Sequence, residues 1–427
     1  MIIHTVKMGE SLDSIGAQYG VSPRLVAELN GVPAGGALAV GQGLIIRFPA
    51  QTHTVRAGDS LFSIAADYGV TVNAVFRANP ALYGGENISV GQSLVIRYAD
   101  EPPLDFFAGG YTYTFTPQAL LNQTMPFINV LIPFTYGFRP DGTLYSLDDD
   151  RLVNTAKRYG TAAWMHLSTY TEGERFDTQL ATDLLASTGV QQLLETALKQ
   201  TIAEKGYDGL DVDFEFIGKA NAAPYAAFLG RLTQSLNADG YTVAAALAPK
   251  TSADQAGDLY EGHDYALVAS AVNYVLLMTY EWGYTFGPPL AISPLPSVRR
   301  VVEYALTEMS ADKILLGISN YGYDWALPYD PDDPVGAPSL STEEAVALAL
   351  STGAEIQYDE EAEAPHFNYY KDGVRHEVWY EDVRSINARL QLIPQYGLRG
   401  CLYWNLTRPN TGNLSLLAAL NRGVNQS

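Results

Sequence analysis

Strand-like and helix-like segments alternate through the last three quarters of the sequence. Helical patterns such as Gln191–Lys205, Ala222–Ala238, Ser297–Met309 and Glu381–Tyr396 separate short apolar segments. Eight strands joined by crossover helices are typical of a (β/α)8 barrel, or TIM barrel, so we predict this α/β fold for residues 101–427. The eight strand candidates are Phe106–Phe115, Phe127–Tyr136, Ala162–Ser168, Gly209–Phe216, Thr242–Ala248, Tyr274–Tyr280, Ile314–Tyr321 and Gly400–Leu406.

A long segment separates the seventh and eighth strand candidates. It contains a helical pattern near Ser341–Leu350, followed by strand patterns at Glu355–Tyr358, Pro365–Tyr370 and Arg375–Tyr380. These elements predict a small α+β insertion at about 327–380 between strands 7 and 8. We expect it to form one wall of a site at the barrel mouth.

The first hundred residues contain an internal repeat. In the second copy Leu61, Ile64, Ala65 and Tyr68 form one apolar stripe of a helix, and each copy reads strand–helix–helix–strand. The repeat predicts two small βααβ modules, residues 2–48 and 51–98, followed by a short polar linker at 99–103. The repeated stretches include His4–Val6 and His53–Val55, Gly9–Leu12 and Gly58–Leu61, and Val40–Gln42 and Val90–Gln92.

The fourth strand candidate carries an acidic residue at every second position. Side chains alternate between the two faces of a strand, so Asp211, Asp213 and Glu215 share one face. Burying a row of carboxyl groups is costly, which favours a role in chemistry over a role in packing. With Glu215 highest at the mouth, the two aspartates below it would share a proton. Glu215 would then stay protonated near neutral pH and act as a general acid.

The charge and the composition limit the classes of molecule that this chain is expected to bind. The net charge of −21 lies almost entirely beyond residue 100, which argues against nucleic acid and anionic membranes and favours a weakly charged polymer such as a glycan. The single cysteine, Cys401, excludes an intrachain disulfide, and neither the acid row nor the six histidines has the spacing of a metal site. We therefore expect no metal and no cofactor. We also expect no transmembrane helix and no signal peptide.

Both N-terminal repeats resemble the LysM module along their whole length. The shared features are the opening His-Thr-Val, the turn before the first helix, the Tyr-Gly-Val at the end of that helix, Asn30 and Asn79, and the closing Val-Gly-Gln. The resemblance implies binding of glycans that contain N-acetylglucosamine, either peptidoglycan or chitin. A spacer without a ligand is the alternative.

Residues from about 101 to 427 resemble glycoside hydrolase family 18, the chitinase-like barrels. The stretch Asp208–Glu215 fits the family's D-G-x-D-x-D-x-E signature, and Met278–Glu281 is similar to its M-x-Y-D. Trp404 stands where the family keeps a tryptophan that stacks on sugar. The runs Met278–Tyr284, Asn320–Trp325 and Tyr396–Trp404 look most like the spore cortex-lytic N-acetylglucosaminidases of endospore formers.

The resemblance implies a retaining mechanism in which the substrate's own acetamido group attacks the anomeric carbon. It implies that Glu215 is the acid and base, that Asp213 stabilises the acetamido group, and that Asp211 tunes Asp213. It also implies that Tyr280 orients the acetamido group and that Trp404 forms the floor under the sugar.

Two departures from the family pattern stand out. Glu281 replaces the aspartate of M-x-Y-D, and the third strand reads Met165–Thr169 where chitinases have S-x-G-G. Further polar and aromatic residues lie near predicted strand ends, where they could belong either to the core or to the rim of the site. The substrate-binding candidates, with Trp404, are Glu281, Met278, Tyr136, Asn320 and Tyr111.

Three functional hypotheses follow from these patterns. The first is a monomeric N-acetylglucosaminidase that cleaves after N-acetylglucosamine in peptidoglycan, in the spore cortex or its fragments. It would be associated with the spore coat, cortex or cell wall. The second is a chitinase that acts on chito-oligosaccharides. The third is a catalytically inert glycan-binding coat protein, against which the presence of Glu215 argues.

Overall fold

The computed structural model describes residues 1–33, 35–170 and 176–423. Two βααβ modules come first, as the repeat predicted, and in each the two strands pair antiparallel. Serines 11 and 60 cap the first helix of each copy, and glycines 20 and 69 end it in the left-handed conformation. The elements are β1 (Ile2–Thr5), α1 (Leu12–Tyr19), α2 (Pro23–Asn30) and β2 (Gly43–Ile46), then β3 (Pro49–Thr54), α3 (Leu61–Tyr68), α4 (Val72–Ala78) and β4 (Ser93–Tyr98).

Eight parallel strands form a closed barrel, which confirms the predicted TIM fold and all eight strand candidates. The first seven strands and their helices run in chain order around the barrel. They are β5 (Phe107–Tyr113), α5 (Gln118–Thr124), β6 (Val130–Phe134), α6 (Asp150–Tyr159), β7 (Ala162–Ser168), α7 (Thr178–Ala186), α8 (Thr188–Lys205), β8 (Gly209–Asp213), α9 (Ala222–Ala238), β9 (Thr242–Leu247), α10 (Tyr265–Ala271), β10 (Tyr274–Leu277), α11 (Leu295–Glu308) and β11 (Ile314–Ser319).

A five-stranded antiparallel sheet with one helix is inserted before the last barrel strand. Its elements are β12 (Tyr321–Leu327), β13 (Ser339–Ser341), α12 (Thr342–Thr352), β14 (Gln357–Asp359), β15 (Ala364–Lys371) and β16 (Val374–Trp379). The strand order is β13-β12-β16-β15-β14, and the sheet begins at Tyr321, earlier than the predicted boundary, because β12 pairs with β16 rather than with the barrel. The chain then forms α13 (Val383–Leu390), α14 (Leu392–Tyr396), the closing barrel strand β17 (Gly400–Trp404) and α15 (Thr411–Leu420).

Both modules are packed against the barrel rather than held on a free tether. The Ser415 hydroxyl donates to the Leu29 carbonyl at 2.6 Å, and the Ile356 amide donates to the Val40 carbonyl at 2.9 Å. In the second module, the Asn73 side chain donates to the Tyr159 carbonyl at 2.9 Å. Helix α15 lies between the barrel and the modules, and every one of its residues is buried.

Within the described residues, no helix is long and apolar enough to cross a membrane.

Candidate active site

The acid row lies where strand β8 reaches the mouth of the barrel. Leu210, Val212 and Phe214 pack outward against the helices, so Asp211 and Asp213 point into the barrel. The strand ends at Asp213, earlier than the predicted end at Phe216. Beyond it Phe216 has a φ of 55° and is 39% exposed, so it leaves the outward-facing row. This early turn carries Glu215 out of the barrel interior and into a pocket at the mouth.

Burial and mutual repulsion hold protons on the acid row. Burial raises the pKa of Asp211 to about 7, although the Tyr111 hydroxyl, which donates to its Oδ2 at 2.8 Å, works in the opposite direction. The pKa of Asp213 is raised well above its usual range, first by burial and then by the charges of Glu215 and Asp211. Burial, and then the charge of Glu281, raise the pKa of Glu215 to about 7. The row can therefore carry a proton on Glu215 near neutral pH while the two aspartates share charge.

A long groove crosses the mouth of the barrel above these carboxyl groups. It has a volume of about 1120 Å³ and joins a deeper pocket of about 320 Å³ that contains Asp213 and Glu215. Trp404, at the end of β17, lines both, and its ring packs edge-on against Tyr111, Phe134 and Tyr113. A half-buried indole fixed in this way offers a flat apolar face to a ligand.

Tyr280 and Glu281 form the side of the pocket that follows strand β10. The strand ends at Leu277 rather than at the predicted Tyr280, so both side chains lie in the loop above it. Burial, and then the charge of Asp213, raise the pKa of Tyr280 well above its usual range, which keeps its hydroxyl as a hydrogen-bond donor. The Glu281 carboxylate accepts hydrogen bonds from the hydroxyls of Tyr321 and Tyr323, each at 2.9 Å.

Three of the remaining candidates lie at the site. Met278 lines the pocket, Asn320 lines the groove, and Tyr111 lies beneath them, bonded to Asp211.

Tyr136 was wrongly placed among the substrate-binding candidates. Its ring belongs to the layer between the barrel and the helices, and its hydroxyl donates to Asp149 Oδ2 at 2.6 Å. The Tyr207 hydroxyl donates to the same carboxylate oxygen. Tyr136 lies beyond the last residue of β6, and this buried carboxylate holds it on the outer side of the barrel.

Several groove residues were not predicted as site residues. Phe115 is 72% exposed at the groove, and Phe176, Phe216 and Tyr284 line it with Arg408. They lie in loops after the strands, where sequence periodicity gives no direction for a side chain.

His166 was also missed as a site residue, although the departure of the third strand from the chitinase pattern was visible. It pairs in register with Asp211, and an inward-facing histidine opposite the acid row was a usable signal.

The buried acid row predicts that the stability of the fold depends on pH. Between about pH 4 and pH 7 the folded chain keeps a proton on Asp211 that the unfolded chain has lost, so stability falls as pH rises through this window. Asp211→Asn removes the ionisable group and keeps an acceptor for Tyr111. We expect the variant to be more stable than the wild type at pH 8, by on the order of 4 kcal/mol, and equal to it near pH 3.5. Urea unfolding across this range measures the difference, and a gap that does not change with pH would contradict the assignment.

Family comparisons agree with this geometry. Residues 117–408 match the family of glycosyl hydrolases family 18, and residues 4–47 and 53–97 match the LysM domain. The "Cortical fragment-lytic enzyme" of Bacillus subtilis (strain 168) is 37% identical over 413 residues, which cover 95% of each protein. The protein of the same name from Bacillus anthracis is 35% identical over 97% of each.

Solved structures show the same architecture. The crystal structure of the Bacillus cereus spore cortex-lytic enzyme SleL matches with a TM-score of 0.83 at 33% identity and covers 99% of both chains. That of the Bacillus megaterium QM B1551 enzyme matches with a TM-score of 0.82, also at 33% identity, over 98% of this chain and 97% of that one. A chitinase from Chromobacterium violaceum shares the barrel fold at 22% identity and a TM-score of 0.67. With its closed barrel, its buried acid row and these matches, the chain is a glycoside hydrolase that belongs to glycosyl hydrolases family 18 and carries two N-terminal LysM domains.

Proposed function

We propose that the protein is a retaining glycosidase that hydrolyses β-1,4 bonds after N-acetylglucosamine in peptidoglycan, in the spore cortex or its fragments. The observation that carries this proposal is the pairing of Glu215, whose pKa is about 7, with the buried Asp213 in a pocket lined by Trp404. Relatives that match almost the whole chain are named cortical fragment-lytic enzymes, which supports cortex material as the substrate. The LysM domains would bind the same polymer and raise its local concentration at the groove.

The mechanism uses the substrate's own acetamido group as nucleophile. Glu215 donates its proton to the glycosidic oxygen as the bond to the anomeric carbon breaks. The acetamido oxygen forms a bond to the same carbon. The Asp213 carboxylate accepts a hydrogen bond from the acetamido N–H and balances the positive charge of the ring that forms. Tyr280 donates to the acetamido oxygen and holds it in line. Water then attacks the anomeric carbon as the bond from that carbon to the acetamido oxygen breaks, and it gives a proton to the Glu215 carboxylate, which restores the acid.

Product analysis tests both the bond cleaved and the stereochemistry. We expect digestion of purified cortex fragments to give products with N-acetylglucosamine at the reducing end, identified by mass spectrometry after borohydride reduction. Proton NMR should show the β-anomer first, because two inversions give retention. Reducing-end muramic acid would contradict the assigned bond, and an initial α-anomer would contradict the mechanism.

A chitinase acting on chito-oligosaccharides is the second candidate, because the mechanism needs only an N-acetyl group beside the cleaved bond. Initial rates on cortex fragments and on chitin oligomers, measured at equal concentrations of reducing ends, separate the two. We expect the cortex fragments to be cleaved faster. Faster cleavage of chitin oligomers would favour the second candidate.

A further inference from the structure

His166 is a buried histidine that the proposed mechanism does not use. The alternation of β7 places Trp164 and His166 inside the barrel, with Met165 and Leu167 outside. The pairing of β7 with β8 sets His166 directly opposite Asp211. The imidazole is fully buried, and this register places it beside the acid row. It occupies the third-strand position where the sequence departs from the chitinase pattern.

One edge of the imidazole faces two carboxyl groups. Its Nε2 atom lies 3.6 Å from Asp211 Oδ2 and 3.8 Å from Asp213 Oδ2. Within residues 1–33, 35–170 and 176–423, this nitrogen has no hydrogen-bond partner, and neither do the Oδ1 atoms of the two aspartates. Buried polar atoms without partners are costly, and their convergence on one small volume points to a function. The other titratable group against the ring is Tyr111, whose hydroxyl is committed to Asp211.

The opposite edge of the ring determines which nitrogen carries the proton. Nδ1 lies 2.6 Å from the Thr135 hydroxyl oxygen, which in turn lies 2.9 Å from the Ser168 hydroxyl. Ser168 can therefore donate to Thr135, and Thr135 can donate to Nδ1, which is closer than its other acceptor, the Tyr136 carbonyl at 3.3 Å. Burial lowers the pKa of His166 to about 3, so the ring is neutral and has one N–H. With Thr135 donating to Nδ1, that nitrogen is the acceptor of the ring, and the hydrogen lies on Nε2, where it faces the carboxyl oxygens.

We propose that His166 is a positioning residue whose Nε2–H points at the Asp211–Asp213 pair and stabilises the negative charge that the pair shares. The separations are longer than a hydrogen bond, so the N–H acts through its dipole and can close on either carboxylate as charge moves between them. The effect keeps Asp213 available as the acceptor for the acetamido N–H. The inference therefore rests on the proposed role of Asp213.

Two variants distinguish the role of Nε2 from that of Nδ1. In His166→Gln the side-chain amide can place an N–H near the position of Nε2, whereas in His166→Asn the shorter amide reaches only the position of Nδ1 beside Thr135. Loss of the Nε2–H raises the pKa of the aspartate pair, so a higher pH is needed to form the anion. We expect the acidic limb of the kcat/KM profile to move up by about 0.5 to 1 pH unit in His166→Asn, and by less than about 0.2 in His166→Gln. A purely structural role would lower the melting temperature of both variants and shift neither limb. Equal shifts in the two variants, or none, would overturn the proposal.

A spectroscopic measurement on the wild type does not depend on turnover. The chain has six histidines, so ¹⁵N-histidine labelling gives few signals, and comparison with His166→Gln, or His166→Asn, assigns that of His166. We expect a neutral ring protonated at Nε2 from pH 5 to pH 8. A proton on Nδ1 would overturn the inference whether or not the glycosidase assignment holds. Failure to hydrolyse any N-acetylglucosamine polymer would instead count against the proposed function alone.

Discussion

Replacing Glu215 with glutamine should lower kcat by about 10³-fold and leave ligand binding nearly unchanged. An amide cannot give a proton to a leaving oxygen, whereas the groove surfaces that contact a sugar, above all Trp404, stay in place. Steady-state rates on N-acetylglucosamine oligosaccharides measure the loss, and calorimetric titration with the same ligands measures the affinity. We expect the affinity to stay within about threefold.

A matched variant separates loss of the acid from loss of one negative charge. Glu204 is exposed near the end of helix α8, which leads into the start of β8 at the end of the barrel opposite the mouth, and Glu204→Gln should keep the wild-type rate. Glu215→Gln should also fold at least as stably as the wild type at pH 8, because the carboxyl group that it removes is one whose pKa burial raises. A Glu215→Gln enzyme with more than about a tenth of the wild-type kcat would show that another group supplies the proton.

Replacing Gly41 with alanine should release the first module from the barrel. A Cβ atom at Gly41 would lie 1.8 Å from the carbonyl oxygen of Ile356 in the insertion, which is far inside van der Waals contact. The backbone there also carries the hydrogen bond between the Val40 carbonyl and the Ile356 amide. The module must therefore move away as a body, which exposes apolar surface on α15 and α13 that it now covers. We expect a loss of about 3 kcal/mol or more in the free energy of unfolding, or a separate early transition for the module.

The repeat supplies the control for this variant. Gly91 is the counterpart of Gly41 in the second module, with a φ of 86° against 85°, yet a Cβ atom at Gly91 would meet nothing within 4 Å. Gly91→Ala should therefore cost only the strain of a left-handed alanine, about 1 kcal/mol. Calorimetric melting of both variants gives the comparison. Equal losses would mean that the close approach to Ile356 is relieved without undocking.

Regular alternation accounts for the parts of the molecule that the sequence could predict. A side chain on a strand points in or out by parity, so alternation alone predicts that Asp211 and Asp213 lie inside the barrel. Beyond the end of a strand, parity no longer predicts the direction of a side chain. Phe216 and Tyr136 lie beyond the ends of their strands, and their directions depend on partners far away in the sequence, such as Asp149 for Tyr136. The alternation of β7 predicts that His166 faces inward, but its place opposite Asp211 depends on the register between two strands, which no single segment contains.

The predicted start of the insertion was wrong for a related reason. Tyr321 continues the apolar pattern of strand β11, but it pairs with Ser341 in another sheet. A change of hydrogen-bonding partner leaves no mark on hydrophobic periodicity. The same region contributes Tyr321 and Tyr323 to the binding of Glu281, so the misjudged boundary also hid one wall of the site.

Helix α15 has a consequence for the order in which the molecule can be completed during synthesis. A ribosome makes the two modules before this helix, which follows every other helix and strand of the described residues, yet the helix fills the space between the modules and the barrel. Until α15 is released, each module can form its own small core but lacks the part of its docking surface that this helix supplies. We therefore expect the docking of both modules to be completed only after α15 has been synthesised.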